Sequence, residues 1–501
     1  MFRATAAPFR RARTLIAAPF VLFLLAPLAL PARARAQGDP ADAPSILLVV
    51  TDDQRWDTLW AMPEVQRSLV GPGVTFTKAL TTSSLCCPSR ASILTGAYPH
   101  TTGVYRQLSP YGGVRSFDDT TTIATVLRDA GYRTGYFGKY LDAYQQDALA
   151  GYVPPGWDRW GAFLHAEYLD YGLTVDGVVQ RFGTAPADYS TDVVADLAED
   201  FIRMNEGPLF AVFAPAAPHD PAIPADADAD AFARLRPWRP LSFNEPDVSD
   251  KPAFVRALVP LGPDRTEHQD RLRRDQYRTL LSVDRAVGRL LDALEDTGRL
   301  EDALVIYTSD NGLLWGEHRW VKKEVPYEEA IRVPLVVRAD AIVGDARADG
   351  HLVGNIDLAP TIADVAGVIL PNADGRSLRP LLGGDDEGWR REILIEHLRG
   401  ANPVPTYCAV RTERYLFAMY ATGARELYDL SVDGFQLRNL AGEGRDVEGR
   451  LEARLRDLCD PPPPGFEFET SLGATMLALG AVVAFAAIAR RLLAGPRASA
   501  G

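Results

Sequence analysis

The chain has 501 residues, 47% apolar and 24% charged, with a formal net charge of −13. This composition excludes a fibrous or extensively disordered protein and leaves room for one large globular domain plus a smaller one. Residues 1–36 and 471–501 hold nine arginines and no acids, so the segment between them carries 44 basic against 66 acidic side chains. That excess excludes a nucleic-acid partner and works against long polyanions.

Arg3, Arg10, Arg11 and Arg13 precede an apolar run over 15–30, and small residues follow at Ala34-Arg35-Ala36. The pattern predicts a secretory signal peptide over 1–36. The Arg10-Arg11 pair leaves both general and twin-arginine export open. Residues 45–50 are an apolar run that ends at Thr51-Asp52-Asp53, which predicts a buried parallel strand with polar residues at its carboxyl end. A helix is expected over 123–130, then a turn and strand over 131–138. Residues 209–214 predict a second buried strand, ending near Pro218-His219-Asp220. Leu280, Val283, Val287, Leu290 and Leu291 share one face of a helix expected over 275–294. Further strands are expected at 303–308, ending at Ser309-Asp310-Asn311-Gly312, and at 335–337.

Alternating strands and helices predict an α/β fold with a large, mostly parallel sheet sandwiched by helices, over 44–370. From about 371 the pattern changes. Short strands at 407–410, 415–419 and 426–429, with a helix at 447–458, predict a smaller antiparallel subdomain over 371–460. A proline-rich linker follows over 461–471. Residues 472–489 carry no charge and precede Arg490-Arg491. A helix of that length spans about 27 Å, which predicts a transmembrane helix with a cytoplasmic C-terminus. The layout expected is an exported, extracytoplasmic protein anchored in the membrane by its C-terminal helix. Cys86 and Cys87 are adjacent, and whether Cys408 and Cys459 pair is left open.

Two oxygen-rich pairs, Asp52-Asp53 and Asp310-Asn311, stand at the ends of separate strands. Hard divalent cations take several oxygen ligands, whereas carboxylates gathered without a cation repel one another. Each pair alone reads equally as turn chemistry.

Cys86-Cys87-Pro88-Ser89-Arg90, continuing to Leu94-Thr95-Gly96, follows the pattern C-x-P-S-R-x-x-x-L-T-G. It closely resembles the sulfatase signature, and the likeness extends over roughly 44–440. The resemblance implies that Cys86 is oxidised to formylglycine (3-oxoalanine) by a formylglycine-generating enzyme, with Cys87 at the variable position. It implies one calcium ion held by Asp52, Asp53, Asp310 and Asn311, with the side chain of residue 86 beside it. Arg90 matches the arginine that holds the nucleophile and balances the carboxylates. Lys139 in Gly138-Lys139-Tyr140, His219 in Pro218-His219-Asp220-Pro221, and Lys323 four residues before Tyr327-Glu328 match family positions for binding sulfate oxygens and moving protons. Lys322 is the alternative to Lys323 if the register slips, and His318 reads equally as structural or substrate-contacting.

Leu141 stands where many sulfatases carry a histidine. A branch resembling N-acetylglucosamine-6-sulfatases shares this Gly-Lys-Tyr-Leu, and also Tyr98-Pro99-His100. The resemblance implies a calcium-dependent hydrolase of sulfate monoesters, expected to act on sulfated sugars, with selectivity expected in loops such as 141–190 and 221–270. The alternatives are a phosphonate or phosphate monoester hydrolase with the same site, and a catalytically silent, membrane-anchored protein that binds sulfated ligands. The silent reading requires loss of the nucleophile or the ligands, and this sequence keeps both.

Overall fold

β1 (Ile46–Thr51) is buried along its whole length. Ile46, Leu48 and Val50 point into one apolar layer, and Leu47 and Val49 into another. A strand covered on both faces belongs at the centre of a helix-covered sheet, which is why its sequence shows no polar alternation. The computed structural model describes residues 43–468. The expected signal peptide over 1–36 and the expected span over 472–489 lie outside the described residues. Among the described residues, no helix is long and apolar enough to cross a membrane.

The main sheet has ten strands. They include β2 (Val74–Leu80), β3 (Arg133–Gly138), β4 (Arg159–Phe163), β5 (Gly172–Val175), β6 (Val178–Arg181), β7 (Leu209–Ala214) and β8 (Leu304–Ser309). A two-stranded ribbon of β9 (Leu314–Trp315) and β10 (Val321–Lys322) lies outside it, and β11 (Leu335–Arg338) and β12 (Arg347–Gly354) complete the sheet. The strand order is β12-β2-β11-β8-β1-β7-β3-β4-β5-β6. The central run β8-β1-β7-β3-β4 is parallel. β11 and the edge strands β5 and β6 run antiparallel to their neighbours. Residues from helices Cys86–Thr95, Ile123–Asp129 and Leu358–Ala366 cover one face, and residues from Ser190–Met204 and Pro263–Asp296 the other. The α/β architecture expected from the sequence is therefore present.

Two elements differ from expectation. The helix expected at 275–294 begins at Pro263, because proline at the first helical position needs no hydrogen-bonded N–H. The C-terminal antiparallel sheet has four strands: β13 (Glu392–His397), β14 (Tyr407–Thr412), β15 (Tyr415–Tyr420) and β16 (Arg425–Asp429). The additional strand β13 carries Ile393 and Ile395 against Val325, Tyr327 and Ile331 of the larger sheet's side. Its opposite face, with Leu394, packs in a cluster with Leu451 and Leu455 of helix Asp446–Leu458. Cys408 and Cys459 are joined as a disulfide that ties this helix end to β14.

Candidate active site

β1 and β8 are parallel neighbours, with Thr51 paired to Ser309 at their carboxyl ends. The two segments leave the sheet side by side, so Asp52-Asp53 and Asp310-Asn311 meet although Asp53 and Asp310 are 257 residues apart in sequence. The Asp53 backbone N–H donates to Asp310 Oδ1 at 3.1 Å, and Asn311 Nδ2 donates to Asp53 Oδ1 at 2.6 Å. Asp53 takes a left-handed backbone (φ 65), which an aspartate tolerates better than most residues. Residues not singled out by the sequence fix this junction. Ser309 Oγ accepts from the Gln54 backbone N–H at 2.9 Å, and the Tyr307 hydroxyl donates to Gln54 Oε1 at 2.7 Å.

Cys86 is the first residue of helix Cys86–Thr95, after an extended Leu85. Pro88 fits within the first turn, where its missing N–H costs nothing, and Gly96 ends the helix in the left-handed conformation (φ 72). The helix N-terminus, which favours negative charge, brings Cys86 Sγ to 3.6 Å from Asp52 Oδ1 and 2.6 Å from Lys323 Nζ. Ligand-type atoms of Asp52, Asp53, Cys86 and Asp310 all lie within 4.8 Å of one another.

Three cations face the three carboxylates. Lys139 Nζ lies 2.5 Å from Asp52 Oδ2, Lys323 Nζ is bonded to Asp53 Oδ1, and Arg90 Nε donates to Asp310 Oδ2 at 2.8 Å. Arg90 Nη1 donates to the Lys139 carbonyl at 2.7 Å, while its buried Nη2 has no partner. His219 Nδ1 is 2.6 Å from the Asp220 carbonyl, an acceptor only, so Nδ1 carries the proton. Its Nε2 then faces Asp53 Oδ2 at 3.6 Å. The expected residues Asp52, Asp53, Cys86, Arg90, Lys139, His219, Asp310, Asn311 and Lys323 thus come together.

Burial alone would raise Asp52 and Asp53. Lys139 and His219 beside the first, and Lys323 and His219 beside the second, outweigh it and hold both below the usual carboxylate range. Burial pushes the Cys86 thiol well above its usual value even with Lys139 and Lys323 close by, and pushes Cys87 up to about 12. Neither cysteine is therefore an activated thiolate at neutral pH.

Three positions left open in the sequence are placed. His318 is fully buried, 2.6 Å from Glu245 through Nδ1, and its ring packs at a tilt against Tyr327, with centroids 4.2 Å apart. It braces the turn that carries Lys323 and does not line the cavity. Lys323, not Lys322, reaches the carboxylates. Leu141 is packed in the apolar cluster under the sheet.

Above this floor lies a cavity of about 610 Å³, walled by Leu85, Arg106, His268, Lys322, Glu324 and Asn402 among others. The loop region 141–190 contributes nothing to it, and 221–270 only His268 and Gln269. Residues 159–181 instead contain β4, β5 and β6, the last three strands at one end of the main sheet.

The sulfatase family profile matches residues 44–368, and a profile described as N-sulphoglucosamine sulphohydrolase, C-terminal, matches 316–460. The chain is a member of the sulfatase family. This sulfatase is 33% identical to the N-acetylglucosamine-6-sulfatase of Homo sapiens, over 86% of this chain and 88% of that one. It is 34% identical to the Extracellular sulfatase SULF-1 homolog of Drosophila melanogaster, over 70% of this chain and 33% of that longer protein. A solved structure described as in complex with its substrate D-glucosamine-2-N,6-O-disulfate has the same fold (TM-score 0.75, 23% identity, covering 85% of this chain and 100% of the other).

Lys139, directly after β3, follows a glycine whose position leaves no room for a Cβ. Gly138 has φ 128, and a Cβ there would lie 1.8 Å from the Ala214 carbonyl oxygen that also accepts from the Lys139 N–H. Gly138→Ala is expected to displace Lys139 and lower sulfatase kcat roughly 100-fold, since a misplacement of about 1 Å has that effect. Steady-state kinetics beside a urea melt check this. A kcat within threefold of wild type would show that the backbone accommodates the methyl group.

Proposed function

We propose that this sulfatase hydrolyses sulfate monoesters of sugars, with 6-sulfated N-acetylglucosamine as the substrate type. The observation that carries the reading is the meeting of Cys86, three buried carboxylates and two lysines in one cluster, with Asp53, His219 and Lys323 opening onto one cavity. Likeness to relatives named N-acetylglucosamine-6-sulfatase supports the sugar. A cavity of about 610 Å³ has the size of a small-ligand site.

Three carboxylates with an amide oxygen are a hard donor set, which fits calcium better than a soft metal. Asp52, Asp53, Asp310 and Asn311 would hold it, with the side chain of residue 86 alongside. Bound there, calcium supplies positive charge that polarises a sulfate oxygen and stabilises an oxyanion. Formylglycine at position 86, installed by a formylglycine-generating enzyme, supplies a hydrated aldehyde whose hydroxyl is the nucleophile toward sulfur.

The chain's own residues do the rest. Lys139 and Lys323, paired with Asp52 and Asp53, would offer their ammonium groups to the sulfate oxygens where a dication holds those carboxylates. Arg90 fixes Asp310 and the Lys139 backbone. His219, held through Nδ1, presents Nε2 to the cavity; in its doubly protonated imidazolium form Nε2–H gives its proton to the leaving alcohol, assisted by Lys323, and the ring is left as the neutral Nδ1–H tautomer. Export, and anchoring through residues 472–489, belong to the same proposal. Export is supported by the N-terminal apolar run and by a relative named as an extracellular sulfatase, whereas anchoring rests on the apolar run over 472–489 alone.

Turnover on a panel of sulfated monosaccharides, aryl sulfates and matched aryl phosphates tests the reading. N-acetylglucosamine-6-sulfate is expected to be hydrolysed with the highest kcat/KM among the sugars. A higher kcat/KM for phosphate than for sulfate esters would replace the proposal with a phosphate or phosphonate monoesterase.

A further inference from the structure

The cavity wall beside Lys323 is made by residues to which the proposed chemistry gives no role. Glu324 follows Lys323 directly, in a left-handed backbone (φ 77) that a non-glycine residue adopts only when its surroundings hold it there. Asn402, from the loop after β13, donates through Nδ2 to Glu324 Oε1 at 2.5 Å. Glu324 Oε2 lies 3.9 Å from His397 Nε2. His397 is 1% exposed, and its Nε2 has no hydrogen-bond partner. Burial pushes His397 down to about 3, so it is neutral and does not cancel the Glu324 charge. Arg106 lines the same wall. Its Nη2 is spent on the Arg399 carbonyl, while its buried Nε is unpartnered. Arg106 Nε on the wall and His397 Nε2 behind Glu324 are both buried without a partner.

A carboxylate accepts hydrogen bonds and donates none. Placed next to the lysine proposed to bind sulfate, it draws hydroxyl or amine hydrogens of the sugar and repels a second anion. Lys322, exposed at the rim, and Arg106, bonded through Nη2 to the Arg399 carbonyl, keep their positive charge beside Glu324, so any repulsion of a second anion is confined to the space at the Glu324 oxygens. We infer that Glu324, held by Asn402, is a specificity-determining residue that accepts a hydrogen bond from the sugar beside the scissile sulfate and selects monosulfated over disulfated substrates. The inference rests on the sulfated-sugar reading and narrows its substrate class.

The test compares kcat/KM of wild type, Glu324→Gln and Glu324→Ala on three substrates: N-acetylglucosamine-6-sulfate, D-glucosamine-2-N,6-O-disulfate and 4-methylumbelliferyl sulfate. Wild type is expected to prefer the monosulfated sugar. Glu324→Gln is expected to lower the ratio of monosulfated sugar to aryl sulfate kcat/KM roughly 10- to 100-fold, mainly through KM, as loss of a hydrogen bond to a charged group does. It is also expected to narrow the preference for monosulfated over disulfated sugar. Equal losses on all three substrates would assign Glu324 to folding or to Lys323 placement and overturn the inference, as would an unchanged ratio. Wild-type preference for the disulfate overturns it without any variant. Wild type that cleaves aryl sulfate but no sulfated sugar overturns the sugar reading together with the subsite, so the two failures are distinct.

Discussion

Cys86→Ala is expected to abolish sulfate-ester hydrolysis, lowering kcat by about 10⁵–10⁶-fold, the scale on which removal of a nucleophile acts. The loss is specific to chemistry because the fold does not need the side chain. Cys86 Sγ contacts only Asp52 and Lys323 among the bonds described for it, and Lys323 keeps Asp53 as its partner. Removing one small buried group costs about 1 kcal/mol, so thermal melting is expected to stay close to wild type. The same residue is tested in the unmutated protein by peptide mass spectrometry of material from its native host. The peptide containing Cys86 is expected to carry an aldehyde, and the neighbouring Cys87 an intact thiol. The physical reason is the environment of both sulfurs: burial keeps each thiol protonated, so a cysteine at 86 is a poor nucleophile without chemical conversion. A fully active preparation with an unmodified Cys86 thiol, or an alanine variant that retains a tenth of wild-type turnover, would remove residue 86 from the mechanism.

The floor of the site is legible in the sequence because it lies at strand ends. Asp52-Asp53 and Asp310-Asn311 each follow an apolar run, and parallel neighbours deliver their carboxyl ends to one place. Lys139 and His219 follow β3 and β7 by the same rule. The cavity walls are not legible. Arg106, Glu324, His397 and Asn402 come from a loop, a turn, a strand end and another loop, with no shared periodicity, and only tertiary packing joins them. β13 escaped notice for a related reason. Both of its faces are buried, one in a cluster with Tyr327 and the other in one with Leu455, so its run of Ile393, Leu394 and Ile395 has neither strand alternation nor helical period. The region 141–190, where selectivity is expected because no motif accounts for it, contributes no residue to the cavity lining. Its aromatic residues instead pack around β4, β5 and β6, as in the Tyr171–Phe182 stack at 5.0 Å.

Treatment with a chelator is expected to eliminate activity, and added calcium to restore it. Asp52, Asp53 and Asp310 bring three negative charges into a buried space, and the chain answers with Lys139, Lys323 and Arg90. Those lysines cannot neutralise carboxylates and bind sulfate at full strength at once. A dication on the carboxylates frees them, so its removal is expected to impair both kcat and KM. Calcium at 100 times its Kd should add about 2.7 kcal/mol of stability, measured by melting with and without the ion. Asp310→Asn should lose that increment, and should lower the metal-free stability as well, because buried Arg90 loses its charged partner. The sign of the pH dependence follows from the depressed values of Asp52 and Asp53. Their ionised forms stabilise the fold at neutral pH. That contribution is lost only as pH falls below the usual carboxylate range, about 4. Calcium binding needs the same deprotonated groups, so its stabilising increment should persist at pH 5 and collapse in stronger acid. Full activity in a preparation shown by elemental analysis to be metal-free would remove the cation from the site and leave the lysine–carboxylate pairs as its resting electrostatics.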